Sequence, residues 1–199
     1  MNEHEAVIKM LLEIGKVDVD LKDDNGRTPL SYAAGNRQEV VVKMLLDIGK
    51  VDVDSKDNYD QTPLLYAVEN RQEVVVKMLL ETSKVDDVDW KDEDGRTPLS
   101  YAAEDRQEVM VKMLLDTSKV AVEAKDNHNR TPLLYAARHR HEVVAKMNLD
   151  TGEVVVDVDS KYNDSWAPLL HVARGGGEAV VKMLLDRGKV VVDSKDNDG

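Results

Sequence analysis

The stretch nearest to a chemical constellation is acidic. Asp52-Val53-Asp54-Ser55-Lys56-Asp57 offers carboxylates at close spacing, the raw material of a calcium loop. Such a loop needs oxygen ligands at its third and fifth positions and glycine at its sixth. Counted from Asp52, the fifth position is Lys56 and the sixth is Asp57. Counted from Asp54, the third is Lys56 and the fifth is Asn58, so the register fails either way. His139 and His141 stand two apart, a spacing that a helix points to different faces, and no H-E-x-x-H occurs. The chain has no cysteine, hence no thiolate nucleophile, no thiolate metal site and no disulfide. Neither G-x-x-x-x-G-K-S/T nor G-x-G-x-x-G is present. Ser and His residues fall at repeated positions rather than in one unique triad. The sequence predicts no enzymatic activity, no cofactor and no metal.

The chemistry that remains is recognition, and a repeat governs it. Thr28-Pro29-Leu30, Thr62-Pro63-Leu64, Thr97-Pro98-Leu99, Thr131-Pro132-Leu133 and the worn copy Ala167-Pro168-Leu169 recur every 34 to 36 residues. A fixed period of that size predicts a solenoid, in which each unit contacts only its neighbours. The units begin at Lys22, Lys56, Lys91, Lys125 and Lys161. Each opens on a polar turn such as Asp23-Asp24-Asn25-Gly26, where Asn-Gly favours positive φ. A short helix follows, capped by Thr and opened by Pro, whose missing N–H costs nothing there. A break comes at Arg37, Arg71, Arg106, Arg140 or Gly176. A second helix then carries Val41, Val42, Leu45 and Leu46 on one face, as a helix buried along one side requires. An alternating Val-Asp-Val-Asp stretch reads as extended chain leading into the next unit.

Turn, T-P-L-x-x-A-A helix, V-V-x-x-L-L helix and return together resemble the ankyrin repeat over essentially the whole chain. The resemblance implies an all-α ankyrin-repeat solenoid of helix-turn-helix units joined by β-hairpin-like turns. The expected organisation is one array over 1–199. Residues 1–21 form a partial repeat, 22–55, 56–90, 91–124, 125–160 and 161–194 form full ones, and 195–199 start another. Neither end carries the polar cap usual for terminal repeats, so the array is expected to continue or to have its ends covered. The Asp-rich linkers also resemble arrays of fungal ankyrin-rich proteins, many of them NACHT-type receptors. Three departures stand out. The family His after T-P-L is replaced by Ser31, Leu65, Ser100, Leu134 and Leu170, which predicts looser ties between loops. The family Gly between the helices is Arg in four units, which either costs roughly 1 kcal/mol in a left-handed conformation or avoids positive φ. One further residue is inserted near Asp86-Asp87, and two near Val154-Val155-Val156.

The family resemblance implies non-catalytic binding of a protein or peptide through the concave face of turn tips and first helices. The expected contacts are Tyr59, Tyr66, Tyr101, Tyr135, Arg138, His139, Trp166 and His171. Tyr32, Tyr66, Tyr101 and Tyr135 share one repeat position, taken by His171 in the fifth unit. Amphipathic Tyr is the residue type enriched at binding hot spots, though such rings also pack between repeats. Tyr59 and Trp166 stand at turn tips. The Met column (Met10, Met44, Met78, Met113, Met147 and Met183) is expected to pack between repeats. Between Lys125 and Leu149 five Lys and Arg face only Asp126 and Glu142. The fourth unit is thus a local basic patch suited to an acidic segment, or a solvated charge cluster. That unit is also expected to be the weakest, because Asn148 replaces the Leu of Leu11, Leu45, Leu79, Leu114 and Leu184, and Ala145 replaces Val42 and Val76.

The chain of 199 residues carries 27 Lys and Arg against 39 Asp and Glu, a net charge of -12. That balance disfavours nucleic acid and anionic membranes as partners. No apolar run reaches the roughly 18 residues of a membrane span, and the polar Met1-Asn2-Glu3-His4-Glu5 is unlike a signal peptide. A cytoplasmic location is expected. Two other readings remain open at this stage: the sensing arm of a larger NACHT-type NTPase receptor, and a mechanical spacer.

Overall fold

A computed structural model describes Met10 and residues 17–82, 85, 87–117, 119–151 and 178–187. All regular structure among the described residues is α-helical. The chain divides into two compact units, Met1–Glu93 and Asp94–Gly199. The first holds α1 (Pro29–Gly35), α2 (Glu39–Ile48), α3 (Pro63–Glu69) and α4 (Glu73–Glu81). Within it α1 packs on α2 and on α3, α3 on α4, and α2 on α4. The second holds α5 (Pro98–Glu104), α6 (Glu108–Leu115), α7 (Pro132–Arg138), α8 (Glu142–Asp150) and α9 (Glu178–Arg187). There α5 packs on α6 and α7, α7 on α8, α6 on α8, and α8 on α9. This is the all-α solenoid of helix-turn-helix repeats that the period implied.

The short helices start where the caps place them. The hydroxyls of Thr28, Thr62, Thr97 and Thr131 accept from the N–H of Ser31, Leu65, Ser100 and Leu134. Pro follows each cap, and small or branched apolar residues fill the inward positions: Leu30, Ala33 and Ala34 in α1, Leu134, Ala136 and Ala137 in α7. Seven-residue helices are too short to persist alone, so this packing holds them.

Arg37, Arg71, Arg106 and Arg140 all adopt positive φ, between 56 and 59°. Of the two possibilities open from sequence, the left-handed one is realised. The hydrogen bonds give the reason. Two residues past the C-cap, Gln38, Gln72, Gln107 and His141 donate their N–H to the carbonyls of Ala33, Ala67, Ala102 and Ala136. Arg71 and Arg140 donate to Val68 and Ala137. This double closure is the Schellman motif, which needs a left-handed residue at its bend.

The Val-Asp-Val-Asp linkers differ from the expected extended chain. They turn at 53–54, 88–89 and 122–123. Asp52 and Asp87 accept from the N–H of Asp54 and Asp89 at 3.1 and 2.8 Å. Val51 and Val53 are buried. The alternation that reads as a strand is therefore a side-chain-to-backbone turn.

The fourth repeat places Asn148 in the core. Asn148 is fully buried, and its amide nitrogen donates back to the Val144 carbonyl at 2.9 Å. Among the described residues its side-chain oxygen has no hydrogen-bond partner. The insertion near Val154 lies outside the described residues.

Candidate functional site

The turn tips are set by one aspartate each. Asp57 accepts from the N–H of Tyr59 and Gln61, and Asp126 from the N–H of His128 and Arg130, all at 2.8 Å. The bend falls on Gly26, Asp60, Gly95 and Asn129, all at positive φ. Neighbouring tips are tied through the backbone. Asn58 N–H reaches the Asn25 carbonyl at 3.0 Å, Glu93 N–H the Tyr59 carbonyl at 3.1 Å, and Asn127 N–H the Asp94 carbonyl at 2.9 Å. Backbone bonds thus join neighbouring tips in a chain that lacks the family His. The approach is close: a Cβ on Gly26 or Gly95 would lie 2.5 Å from the side-chain oxygen of Asn58 or Asn127.

On this frame the tyrosines of the first helices divide. Tyr32 is 51% exposed, with the Arg27 guanidinium 4.9 Å from its ring centre. Tyr66 and Tyr101 are half-buried. Tyr66 donates its hydroxyl to Asp57 at 2.6 Å, and Tyr101 lies 4.6 Å from the Arg96 guanidinium. Tyr135 is only 1% exposed. It donates to Asp126 at 2.7 Å, accepts from Arg96 Nε at 3.0 Å, and has Arg96 and Arg130 over its ring at 4.8 and 5.1 Å. Burial and then the bond to Asp126 push its phenol up to about 12, against the pull of Arg96. Burial and Asp57 push Tyr66 up as well. Asp126 keeps a carboxyl below its ordinary value. Burial alone would raise it, but hydrogen bonds from Tyr135 and Arg130 prevail.

At the far end of the first helices the fourth unit meets the third. Glu104 closes α5 and Asp105 caps it, while Arg138 closes α7 and His139 caps it. Arg96 is paired with one oxygen of Glu104, and His139 Nε2 lies 3.7 Å from the other. His141 Nδ1 sits 2.9 Å from the Ala103 carbonyl. The His139 and His141 rings are 5.7 Å apart. The sequence argument that placed them on different faces assumed a helix. They flank the left-handed Arg140 instead, and the bend brings them together. Burial first, then His141 and Arg138, lower the His139 pKa, while Glu104 and Asp105 work to raise it.

Of the residues expected to contact a partner, Tyr59, Arg138 and His139 are exposed, and Tyr66 and Tyr101 are half-buried. Tyr135 offers no surface, because it is walled in by Asp126, Arg96 and Arg130. Trp166 and His171 lie outside the described residues.

The family model for "Ankyrin repeats (3 copies)" matches residues 1–89 and 84–154. The chain belongs to the ankyrin repeat family. A solved structure described as the crystal structure of EF0377, an ankyrin repeat protein, shares the fold. Its TM-score is 0.81 at 23% identity, over 93% of this chain and 92% of that one. No curated protein matches the sequence. Ankyrin repeats are general protein–protein interaction modules, typically non-catalytic. No helix among the described residues is long and apolar enough to cross a membrane.

Sequence reasoning missed the arginine that precedes Thr-Pro in these ankyrin units. Arg27, Arg96 and Arg130 each stand five residues before a Tyr of the first helix, and each stacks on that column. The recurring R-T-P-L-x-Y spacing was the available signal. Gln61 breaks it, and the Tyr66 hydroxyl donates to Asp57.

Proposed function

We propose that this ankyrin array is a non-catalytic module that binds a protein or peptide through its turn tips and first helices. The observation that carries the reading is Tyr59. Its ring is 51% exposed, yet its backbone is fixed on both sides. Its N–H goes to Asp57, its carbonyl accepts from Glu93, and the preceding Asn58 is tied to Asn25. An aromatic side chain held out to solvent by a rigid turn loses little entropy on binding, the property of a hot-spot residue. The net charge of -12 supports a protein partner over nucleic acid.

The test is affinity capture followed by a quantified comparison of two variants. Tyr59→Ala should weaken the captured partner about tenfold or more. Val40→Ala, on the exposed side of α2, should leave it unchanged. Equal losses in both, or in neither, would defeat the assignment of the binding face.

A further inference from the structure

We propose that the adjoining ends of α5 and α7 bind an acidic polypeptide segment more tightly when His139 carries a proton, an inference that rests on the protein-binding reading above. Among the described residues, the charged groups that act on His139 come from two elements. Glu104 and Asp105 come from the end of α5, Arg138 and His141 from its own segment, and Arg96 stands behind Glu104. While His139 is neutral, Arg96 and Arg138 offset Glu104 and Asp105. One proton on His139 breaks that balance.

The position of Glu104 decides where the new charge is felt. Its carboxylate is already engaged by Arg96, and the Arg96 side chain is only 17% exposed. Arg96 is itself pinned, with Tyr101 at 4.6 Å, Tyr135 at 4.8 Å and a hydrogen bond to the Tyr135 hydroxyl at 3.0 Å. The other oxygen of Glu104 faces His139, but its single negative charge is already shared with Arg96, so it offsets only part of a charge on His139. His139 stays 3.7 Å from Glu104, with its side chain 42% exposed. Its charge adds to that of the adjacent, exposed Arg138. Two neighbouring cations then face solvent, a donor pair for the carboxylates of an acidic segment. His141 is anchored to the Ala103 carbonyl at 2.9 Å and holds the bend in place. Desolvation first, then His141 and Arg138, lower the His139 pKa, against the opposing pull of Glu104 and Asp105.

The experiment is an NMR titration of the full chain, alone and with acetyl-tetraglutamate amide at pH 5.5 and 7.5. The peptide side chains are ionised at both values. The His139 midpoint should fall below about 6.5. The peptide should perturb Arg138 and His139 at pH 5.5 and bind about threefold more weakly at pH 7.5, the weight of one screened surface charge. His139→Asn should bind equally weakly at both pH values. A midpoint at or above about 6.5, pH-independent binding, or an unchanged pH response in His139→Asn would each overturn the proposal. The midpoint is read on the unaltered chain, so a misfolded variant does not remove the test. Loss of the Tyr59 result would leave this titration standing, so the two readings fail separately.

Discussion

Arg96 donates from Nε to the hydroxyl of Tyr135 at 3.0 Å across 39 residues of sequence. One cation thereby joins the turn of the third repeat to the first helix of the fourth. It stacks between Tyr101 and Tyr135 and pairs with Glu104. Tyr135 in turn donates to Asp126, the residue that sets the turn of its own repeat. A buried phenol is acceptable there because its donor and acceptor roles are both filled.

This arrangement predicts alkaline sensitivity. The folded pKa of Tyr135 is raised to about 12, whereas an unfolded tyrosine titrates near about 10. A raised folded pKa gives stability that is fully present below the unfolded value and is lost as pH rises through the folded one. Denaturant titrations should thus show stability falling between about pH 10 and 12. In Tyr135→Phe that slope should be shallower, with lower stability at pH 7, because Asp126 and Arg96 lose a buried partner. An unchanged slope would show that the phenol ionises without regard to its surroundings.

Asn148→Leu should stabilise the second unit by about 1–3 kcal/mol, the cost of the unsatisfied amide oxygen. Leucine is the residue at the equivalent Leu45, Leu79 and Leu114, all of them buried. Hydrogen exchange on the unaltered chain should show α8 opening faster than α4 or α6, and the substitution should slow it. Equal protection of the three helices would remove Asn148 as a weak point.

Arg37→Gly should stabilise the first unit by up to about 1 kcal/mol. Glycine avoids the side-chain penalty at φ 58°, while giving back part of the gain as unfolded-chain entropy. Urea unfolding of the full chain reads the change. A loss of stability would mean that the exposed Arg37 side chain contributes more than its backbone costs.

The bends, linkers and tips were unequally legible in the sequence. Glycine at 26 and 95 announces positive φ, but Asp60 and Asn129 make the same bend and were not read as equivalent. The Val-Asp alternation signals a strand by period, yet the aspartate chelates its own backbone and turns the chain. Local hydrogen bonding sets these turns, because the N–H of Asp54 and of Asp89 each finds an aspartate carboxylate two residues back. The His139–His141 approach was hidden by the assumption of helix where a left-handed residue bends the chain.

The sequence by itself determined the repeat, its family and the starting points of the short helices. All three rest on local chemistry: a recurring Thr hydroxyl, a Pro that needs no N–H, and apolar residues at helical spacing. The fate of identical residues was decided only by tertiary structure. Tyr32 and Tyr135 share one motif position, yet one is half exposed and the other buried. The difference lies in which residues of neighbouring turns and helices surround each ring. Arg96 comes from the turn before and lies over Tyr135, while Arg27 reaches Tyr32 from its own turn. Contacts across 34 to 39 positions depend on pairs of units, and no single copy of the motif contains them.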